Sequence, residues 1–422
     1  MSPVLPLSSR LRPRRPVRGP AVGFLPFCPD AHDPKPEAGT LAQGAPGWYR
    51  GSLESPSADC PPPHLQTPPV PLVGIARLAA NSPAAETRRI SAGKPEYFFL
   101  PVKSILNHCD SQRVPFDWTI NPYRGCEFGC KYCYARYTHE YMEIDGGEFE
   151  QKIFVKRDAA ALLARDISQK YSYASKVSGY QESEHIAIGT ATDPYQPAEK
   201  EYGVTRACLE ELAKHEGLSI SVITKSNQIV RDIDLYKRIA EKSALSLNIT
   251  ITTLKPRLAR LLEPRAPRPD LRVRAVRELR AAGLLVGVSA SPLLPGINDG
   301  EGELEAVAAA VREAGAQWFF SGVLFLMPAS ARAFLPFIRE KFPKLAKQYE
   351  QWYAKNGYAP EDYRKTVSER VHRIREQYGF ATRPWEGMRT ATTRAQMSLG
   401  WDVAAPSEEP PRCAPASIGS RG

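Results

Sequence analysis

Three cysteines within eight residues constrain the fold of this chain more than any other feature of its sequence. They are Cys126, Cys130 and Cys133, in the stretch TINPYRGCEFGCKYCYARYTHEY at residues 119–141. A CxxxCxxC loop lets three sulfurs converge on one inorganic core, and Gly125 and Gly129 permit the turns that this requires. An iron-sulfur cube normally takes four protein thiolates, so a three-cysteine loop leaves one iron open to bind and activate another molecule.

A structural zinc site is an alternative interpretation of the same cysteines. Zinc sites close with four ligands, usually arranged as two separate pairs, and the chain has no second CxxC pair. Cys109, next to His108, lies upstream and is a candidate fourth ligand, so the zinc alternative stays open from spacing alone. A disulfide framework is excluded, because eight cysteines in 422 residues without a signal peptide are typical of a reducing cytosol.

The loop resembles the signature of the radical S-adenosylmethionine (SAM) superfamily, in which an aromatic residue precedes the third cysteine. That residue is Tyr132 here, and Tyr134 follows the cysteine. The longer strings NPYRGCEFGCKYCYAR and GTATDPYQPAEK are similar to the bacterial branch related to spore photoproduct lyase. The resemblance covers roughly residues 74–380.

The resemblance implies an enzyme in which Cys126, Cys130 and Cys133 ligate a 4Fe-4S cluster. Its open iron would chelate the amino and carboxylate groups of SAM, which is cleaved reductively so that a hydrogen atom is abstracted from the substrate. The resemblance aligns Thr192 and Asp193 with residues that hold the SAM amino group, and Lys225 with one that holds its carboxylate. It also implies a supply of electrons from a donor such as flavodoxin or ferredoxin.

Further residues are assigned more loosely by the same resemblance. Thr250 falls near another polar contact, which Thr252 would serve as well, and Ser289 and Ala290 are expected near adenine. Tyr132 and Tyr134 match lyase tyrosines associated with radical relay. In spore photoproduct lyases a cysteine immediately before the polar pair returns a hydrogen atom to the product radical, and Ala191 stands at that position here.

From about residue 115, short apolar runs alternate with helical periodicity, which predicts βα units around a parallel sheet. The six runs are residues 116–123, 185–192, 218–224, 245–253, 284–291 and 318–327. Polar residues end several runs, and Asp193 and Lys225 would supply an acceptor for an ammonium and a donor for a carboxylate. The predicted fold is therefore α/β, an incomplete (β/α)6 TIM-like barrel of the radical SAM type with its site at the carboxyl ends of the strands.

The predicted domains divide the chain into four segments. Residues 1–85 carry 18 of the 39 prolines and too few periodic apolar positions to form a core, so we predict disorder there. Residues 86–330 form the radical SAM core, residues 331–385 a helical C-terminal extension and residues 386–422 a second disordered tail. Trp352 and Tyr353 in the extension are either core residues or a stacking platform for bases. Cys208 is interpreted as a buried structural cysteine.

The formal charge of +10 favours an anionic partner, and most of the excess remains when the two ends are removed. A nucleic acid is the expected substrate, with a peptide or a small molecule as alternatives. The rival from another class is a non-catalytic nucleic-acid-binding protein with a zinc knuckle. No apolar run is long enough for a membrane span, so we expect a cytoplasmic protein with no membrane partner.

Overall fold

A parallel sheet of six consecutive strands is the main element of the fold. The computed structural model describes residues 95–111, 114–171 and 184–381, so the predicted segments 1–85 and 386–422 lie outside the described residues. The sheet has the order β10-β9-β8-β7-β6-β3-β2, in which β2 is antiparallel to β3 and all other pairs are parallel. The strands are β2 (Leu106–His108), β3 (Trp118–Ile120), β6 (His185–Ile188), β7 (Ser219–Thr224), β8 (Ala244–Thr250), β9 (Val286–Ser289) and β10 (Trp318–Phe320).

Five of the six parallel strands lie within a predicted apolar run, and β8 begins at Ala244, one residue before its run. Helices cover the parallel strands, which are mostly buried and rich in apolar residues, although β7 and β8 also carry Ser, Thr and Asn. The order of the strands follows the chain without closing between β10 and β2 in the described residues. The predicted α/β class and incomplete barrel are therefore confirmed.

A second, three-stranded sheet supports the start of the cysteine loop. Its order is β1 (Glu96–Phe99), β5 (Lys152–Val155) and β4 (Tyr123–Arg124). The last of these strands, β4, ends immediately before Gly125, and Cys126 lies one residue further on. The loop therefore begins from a paired strand, which fixes the direction in which the chain enters it.

Helices connect the strands and cover the sheet. The α-helices are α1 (Tyr137–Glu140), α2 (Ala159–Asp166), α3 (Glu199–Tyr202), α4 (Val204–Leu212), α5 (Ile233–Ala240), α6 (Pro256–Leu262), α7 (Pro269–Ala281), α8 (Glu301–Glu313), α9 (Pro328–Lys341), α10 (Pro343–Tyr353) and α11 (Glu361–Gln377). Cys208 on α4 is buried, as predicted, and burial raises the pKa of its thiol to about 12.

The last three helices, α9 to α11, follow the last strand of the sheet along the chain. Tyr353 is buried and stacks on Tyr349 with ring centroids 5.6 Å apart, so the suggestion of a stacking platform for bases is wrong for Tyr353. The segment between α10 and α11 returns to the sheet edge, where Tyr358 stacks on Phe325 at 4.4 Å. This return brings the C-terminal helices to the edge where the strands end.

Candidate active site

One cavity at the carboxyl edge of the parallel sheet contains all nine residues selected as site residues from the sequence. They are Cys126, Cys130, Tyr132, Cys133, Tyr134, Thr192, Asp193, Lys225 and Thr250. The cavity has an empty volume of about 1040 Å³, including space open to solvent. Ser289 and Ala191 also line it, whereas Thr252 and Ala290 do not. The structure thus brings the nine residues together, and their individual roles stay predictions.

The cysteine loop depends on a glycine at its start. Gly125 has φ of +85°, and a Cβ there would lie 2.6 Å from the carbonyl oxygen of Lys152. Gly129 also has a positive φ, of +62°, but a Cβ there would have no atom closer than 3.7 Å. The prediction that these glycines permit the turns is confirmed, and at Gly125 the close approach of the second sheet adds a steric reason.

Burial raises the pKa of all three thiols, so they remain protonated unless a cation is bound. Cys126 and Cys130 are each 8% exposed, and Cys133 is partly buried. Burial raises the pKa of Cys130 to about 12, although the nearby Lys225 opposes the shift. Burial likewise raises the pKa values of Cys126 and Cys133. A positively charged metal core would replace these protons and favour the thiolate form.

A cluster and a single metal ion place different demands on the three thiols. In the described residues, no group of three or more His, Cys, Asp or Glu side chains is placed to hold one metal ion. The three thiolates of a cubane bind three different iron atoms, so they need not converge on a single point. A mononuclear zinc site requires that convergence.

Cys109, the candidate fourth ligand of the zinc alternative, lies elsewhere. Its backbone N–H donates to the carbonyl of Asp117 at 2.7 Å, just before β3 begins, and its side chain packs with Val114, Phe116 and Ala187. The cysteine loop follows the opposite end of β3, and Cys109 is not among the residues lining the cavity. The suggestion that Cys109 completes a zinc site with the loop is therefore wrong.

Gln196 clamps the cysteine loop, a role that the sequence analysis missed. Its side-chain amide donates to the carbonyl of Gly125 at 3.1 Å and to the hydroxyl of Thr192 at 2.9 Å. Its side-chain oxygen accepts from the backbone N–H of Glu127 at 3.0 Å. Gln196 is fully buried, so these bonds are shielded from water. The string GTATDPYQPAEK contained this residue, but no spacing rule connects it to the loop.

Thr192 and Asp193, the two polar residues after β6, form hydrogen bonds with neighbouring segments on both sides. The Thr192 hydroxyl donates to the carbonyl of Gly125 at 2.6 Å. The Asp193 carboxylate accepts from the Thr224 hydroxyl at 2.6 Å, the Lys225 N–H at 2.7 Å and the Tyr195 N–H at 2.9 Å. Burial nevertheless raises the pKa of Asp193. A carboxylate accepts about four hydrogen bonds, so room for one further donor remains.

A buried ion pair lies behind the wall of the cavity. The Tyr132 hydroxyl donates a hydrogen bond to the carboxylate of Glu263. Glu263 also forms an ion pair with Arg272, and both charged side chains are at most 1% exposed. The Thr252 hydroxyl also donates to Glu263 at 3.0 Å, and Arg272 donates to the carbonyl of Thr250 at 3.1 Å. The pair therefore connects the cysteine loop to the end of β8.

Lys225 brings a positive charge to the same part of the cavity. Its ammonium lies 5.8 Å from the centre of the Tyr132 ring. Burial alone lowers the pKa of Lys225, but Cys130 and Glu263 outweigh that effect and raise it. Lys225 therefore stays protonated and can bind a carboxylate. On another side of the cavity Tyr134 donates to the carbonyl of Thr190, which holds the loop against the end of β6.

A family model and several sequence relatives match this chain. A model described as the radical SAM superfamily matches residues 120–308. An uncharacterized protein of Mycobacterium tuberculosis is 32% identical over 281 residues, which are 66% of this chain and 80% of that protein. An uncharacterized protein of Methanocaldococcus jannaschii is 30% identical over 184 residues, which are 44% of this chain and 63% of that protein.

Solved structures are also similar at lower identity. A spore photoproduct lyase variant has 16% sequence identity and a TM-score of 0.49, and the match covers 66% of this chain and 79% of the lyase. A radical SAM methyltransferase from Sphaerobacter thermophilus has 17% identity and a TM-score of 0.39, covering 65% of this chain and 66% of that chain.

Across residues 95–381, apart from the two undescribed gaps, no helix is both long and apolar enough to cross a membrane.

Proposed function

The chain belongs to the radical SAM superfamily, and we propose that it is an enzyme that binds a 4Fe-4S cluster and cleaves SAM reductively. The observation that carries this proposal is the single cavity that contains the three cysteines together with Thr192, Asp193, Lys225 and Thr250. When bound, the cluster would supply one electron to SAM, whose cleavage yields the radical that abstracts a hydrogen atom from the substrate.

The residues of the chain act by binding and orienting the two cofactors. Cys126, Cys130 and Cys133 hold the cluster, while the remaining acceptor position on Asp193 suits the SAM ammonium. Lys225 suits the SAM carboxylate, because it is protonated and partly shielded from water. The mostly buried walls would limit the access of water to the region where the radical forms, which limits side reactions.

We assign the substrate to the nucleic acids on the basis of charge. The formal charge of +10 favours a polyanion, and a peptide or a small molecule is the alternative. Short labelled single-stranded DNA and RNA should bind the anaerobic protein with an affinity that falls steeply as salt rises. Binding that is equally weak at all salt concentrations would contradict this substrate class and direct the search to peptides and small molecules.

Replacement of any one cluster cysteine tests the chemistry. Cys126→Ala, Cys130→Ala and Cys133→Ala should each abolish iron binding and SAM cleavage, because two thiolates cannot hold the cube. Cys208→Ala is the matched control, since Cys208 is buried on α4 and is not among the cavity-lining residues.

Iron content, zinc content and the absorption band at about 400 nm are the measurements, made on protein purified without oxygen. The wild type and Cys208→Ala should be brown and contain iron. A colourless wild-type protein that contains zinc would support the zinc-knuckle alternative. A cluster that persists in Cys130→Ala would refute the assignment of the three cysteines as its ligands.

A further inference from the structure

An open hollow beside the cysteine loop shares no lining residue with the active-site cavity. It has an empty volume of about 830 Å³, including space open to solvent. Its lining residues come from the loop, from α6 and the residues after it, and from α9; they are Lys131, Arg260, Leu261, Pro264, Ala333, Pro336, Phe337, Glu340 and Lys341. The proposed function does not use this hollow.

The hollow is attached directly to the loop that would hold the cluster. Lys131 lies between Cys130 and Cys133, and its backbone N–H donates to the carbonyl of Leu262 at 2.9 Å. The backbone N–H of Arg265 donates to the carbonyl of Phe128 at 3.2 Å. These bonds hold the end of α6 and the residues after it against the loop. A protein seated in the hollow would therefore lie close to the cluster ligands.

The composition of the hollow is that of a protein docking site. Apolar side chains, among them Leu261, Phe337 and Pro336, form part of the lining, and three cations accompany them. The cations are Lys131, Arg260 and Lys341, and the single acid, Glu340, pairs with Lys341 at 2.7 Å. Specific interfaces commonly combine an apolar centre with a polar rim, and a cationic rim selects an acidic partner.

We propose that this cationic hollow docks an acidic electron-carrier protein, which delivers electrons to the cluster through the cysteine loop. The proposal rests on the proposed function and adds the surface at which the reductant binds. The carrier loses one electron and the site within the loop gains it, while no bond or proton is exchanged between the two proteins. Electron transfer slows steeply with distance, so docking beside Lys131 favours the reaction.

Charge reversal within the hollow is the test. Arg260→Glu/Lys341→Glu leaves the cysteine loop unchanged, and Lys131→Gln is a second variant that removes a charge without adding one. Lys237→Glu/Arg238→Glu on α5 is the control with the same change in net charge, since both side chains are exposed and neither lines the hollow. The probe is reduced flavodoxin, an acidic one-electron donor, mixed without oxygen with full-length, cluster-loaded protein at low salt.

The expected result separates docking from chemistry. In Arg260→Glu/Lys341→Glu, binding of labelled flavodoxin and the rate at which it bleaches the cluster absorbance should both fall about tenfold or more, and the loss should shrink as salt rises. Lys131→Gln should show a smaller loss in the same direction. Reduction by dithionite, a small molecule that needs no docking surface, should be unchanged in every variant, as should both readouts in the control.

Several outcomes would overturn the proposal. Unchanged flavodoxin binding in Arg260→Glu/Lys341→Glu would show that the carrier docks elsewhere, and an equal loss in the control would show an effect of net charge alone. If single-stranded DNA displaces flavodoxin and loses affinity in the same variant, the hollow is a nucleic-acid surface. A wild-type protein without iron would refute both the proposed function and this proposal, and is recognised because dithionite then bleaches nothing.

Discussion

Glu263 is a buried carboxylate that holds several site residues in position. It accepts from Tyr132 and Thr252 and pairs with Arg272, which in turn binds the carbonyl of Thr250. Burial raises the pKa of Glu263, but Arg272 and Lys225 outweigh that effect and lower it, so the carboxylate is ionised. Removing its charge would leave Arg272 unpaired in an interior that excludes water.

We therefore expect Glu263→Gln to lower the free energy of unfolding by about 3–5 kcal/mol. Urea unfolding of the full-length protein measures the effect. Glu263→Gln/Arg272→Met should recover much of the loss, because no unpaired charge remains. Tyr132→Phe is the matched control for the hydrogen bond alone and should cost about 1–3 kcal/mol. An unchanged unfolding free energy in Glu263→Gln would show that the pair is not buried as described.

His139 supports the cysteine loop from below as a neutral side chain. It is fully buried between Phe149 and Phe154, and its Nε2–H donates to the carbonyl of Lys152 at 2.9 Å. Burial lowers the pKa of His139 to about 3. As the pH falls, the unfolded chain therefore binds a proton at this residue near its ordinary pKa of about 6.5, which is a higher pH than the folded protein requires.

The folded protein loses stability at low pH, because the unfolded chain is protonated at His139 first. Stability from His139 is complete above about pH 6.5 and is lost as the pH falls towards 3, by about 2 kcal/mol at pH 5. His139→Gln keeps a donor for Lys152 but does not titrate, so the difference in unfolding free energy between wild type and variant should shift by that amount from pH 7.5 to pH 5.

At the scale of the element, the cysteine loop takes its shape from contacts on three sides. The second sheet approaches Gly125, Gln196 bonds the backbone of the loop, and α9 reaches it through Ser330, whose hydroxyl donates to the carbonyl of Cys133 at 2.8 Å. Since several elements contribute, the loop can be shaped before any metal binds. Preorganisation of this kind reduces the conformational entropy lost on binding.

Two glycine substitutions separate backbone strain from steric exclusion. Gly129→Ala should cost only the left-handed backbone strain of about 1–2 kcal/mol. Gly125→Ala adds an overlap with the carbonyl of Lys152 and should lower the free energy of unfolding further, with a loss of bound iron. Thermal unfolding and iron content measure the two effects. Equal stability losses in the two variants would contradict the close approach at Gly125.

At the scale of the whole molecule, the cavity wall bears on which radical reaction the enzyme performs. Ala191 lines the cavity, and the sequence resemblance implies that it stands where spore photoproduct lyases have a hydrogen-donating cysteine. The C–H bond of its methyl group is far stronger than a thiol S–H bond, so return of a hydrogen atom from Ala191 would be steeply uphill. We therefore expect a different substrate or a different quenching step.

An anaerobic assay on DNA containing the spore photoproduct tests this expectation. SAM should be cleaved to deoxyadenosine, while little thymine is restored, because the product radical lacks a nearby thiol donor. Ala191→Cys is the informative variant, since it restores a thiol at that position and should raise the yield of thymine if the lesion binds. Rapid conversion of the lesion to two thymines by the wild type would overturn the prediction and require another hydrogen donor.

The sequence alone determined the strands and the cysteine loop, because both depend on local patterns. Apolar runs separated by helical periodicity predicted all six parallel strands, since a parallel strand covered on both faces is rich in apolar residues. Polar residues at the ends of those runs, together with the family resemblance, selected nine residues that line one cavity.

Local patterns were insufficient where a helix is covered unevenly. Ile229, Ile233, Tyr236 and Ala240 recur at i, i+4, i+7 and i+11, a spacing that predicts one buried helical stripe. In the structure Ala240 is exposed and Leu235 and Ile239 are buried instead. The segment begins as a 3-10 turn over Asn227–Asp232, whose tighter winding changes the angle between Ile229 and the residues of α5.

Only the tertiary structure decided how the loop is supported and which surfaces surround it. Glu263 lies 131 residues after Tyr132, and Gln196 lies 71 residues after Gly125. A polar residue that acts through a partner so distant in sequence has no local signature, because the free energy of burying it depends on which groups the fold brings within hydrogen-bond distance. The same reason separates Cys109, close to the loop in sequence, from the cavity that the other three cysteines share.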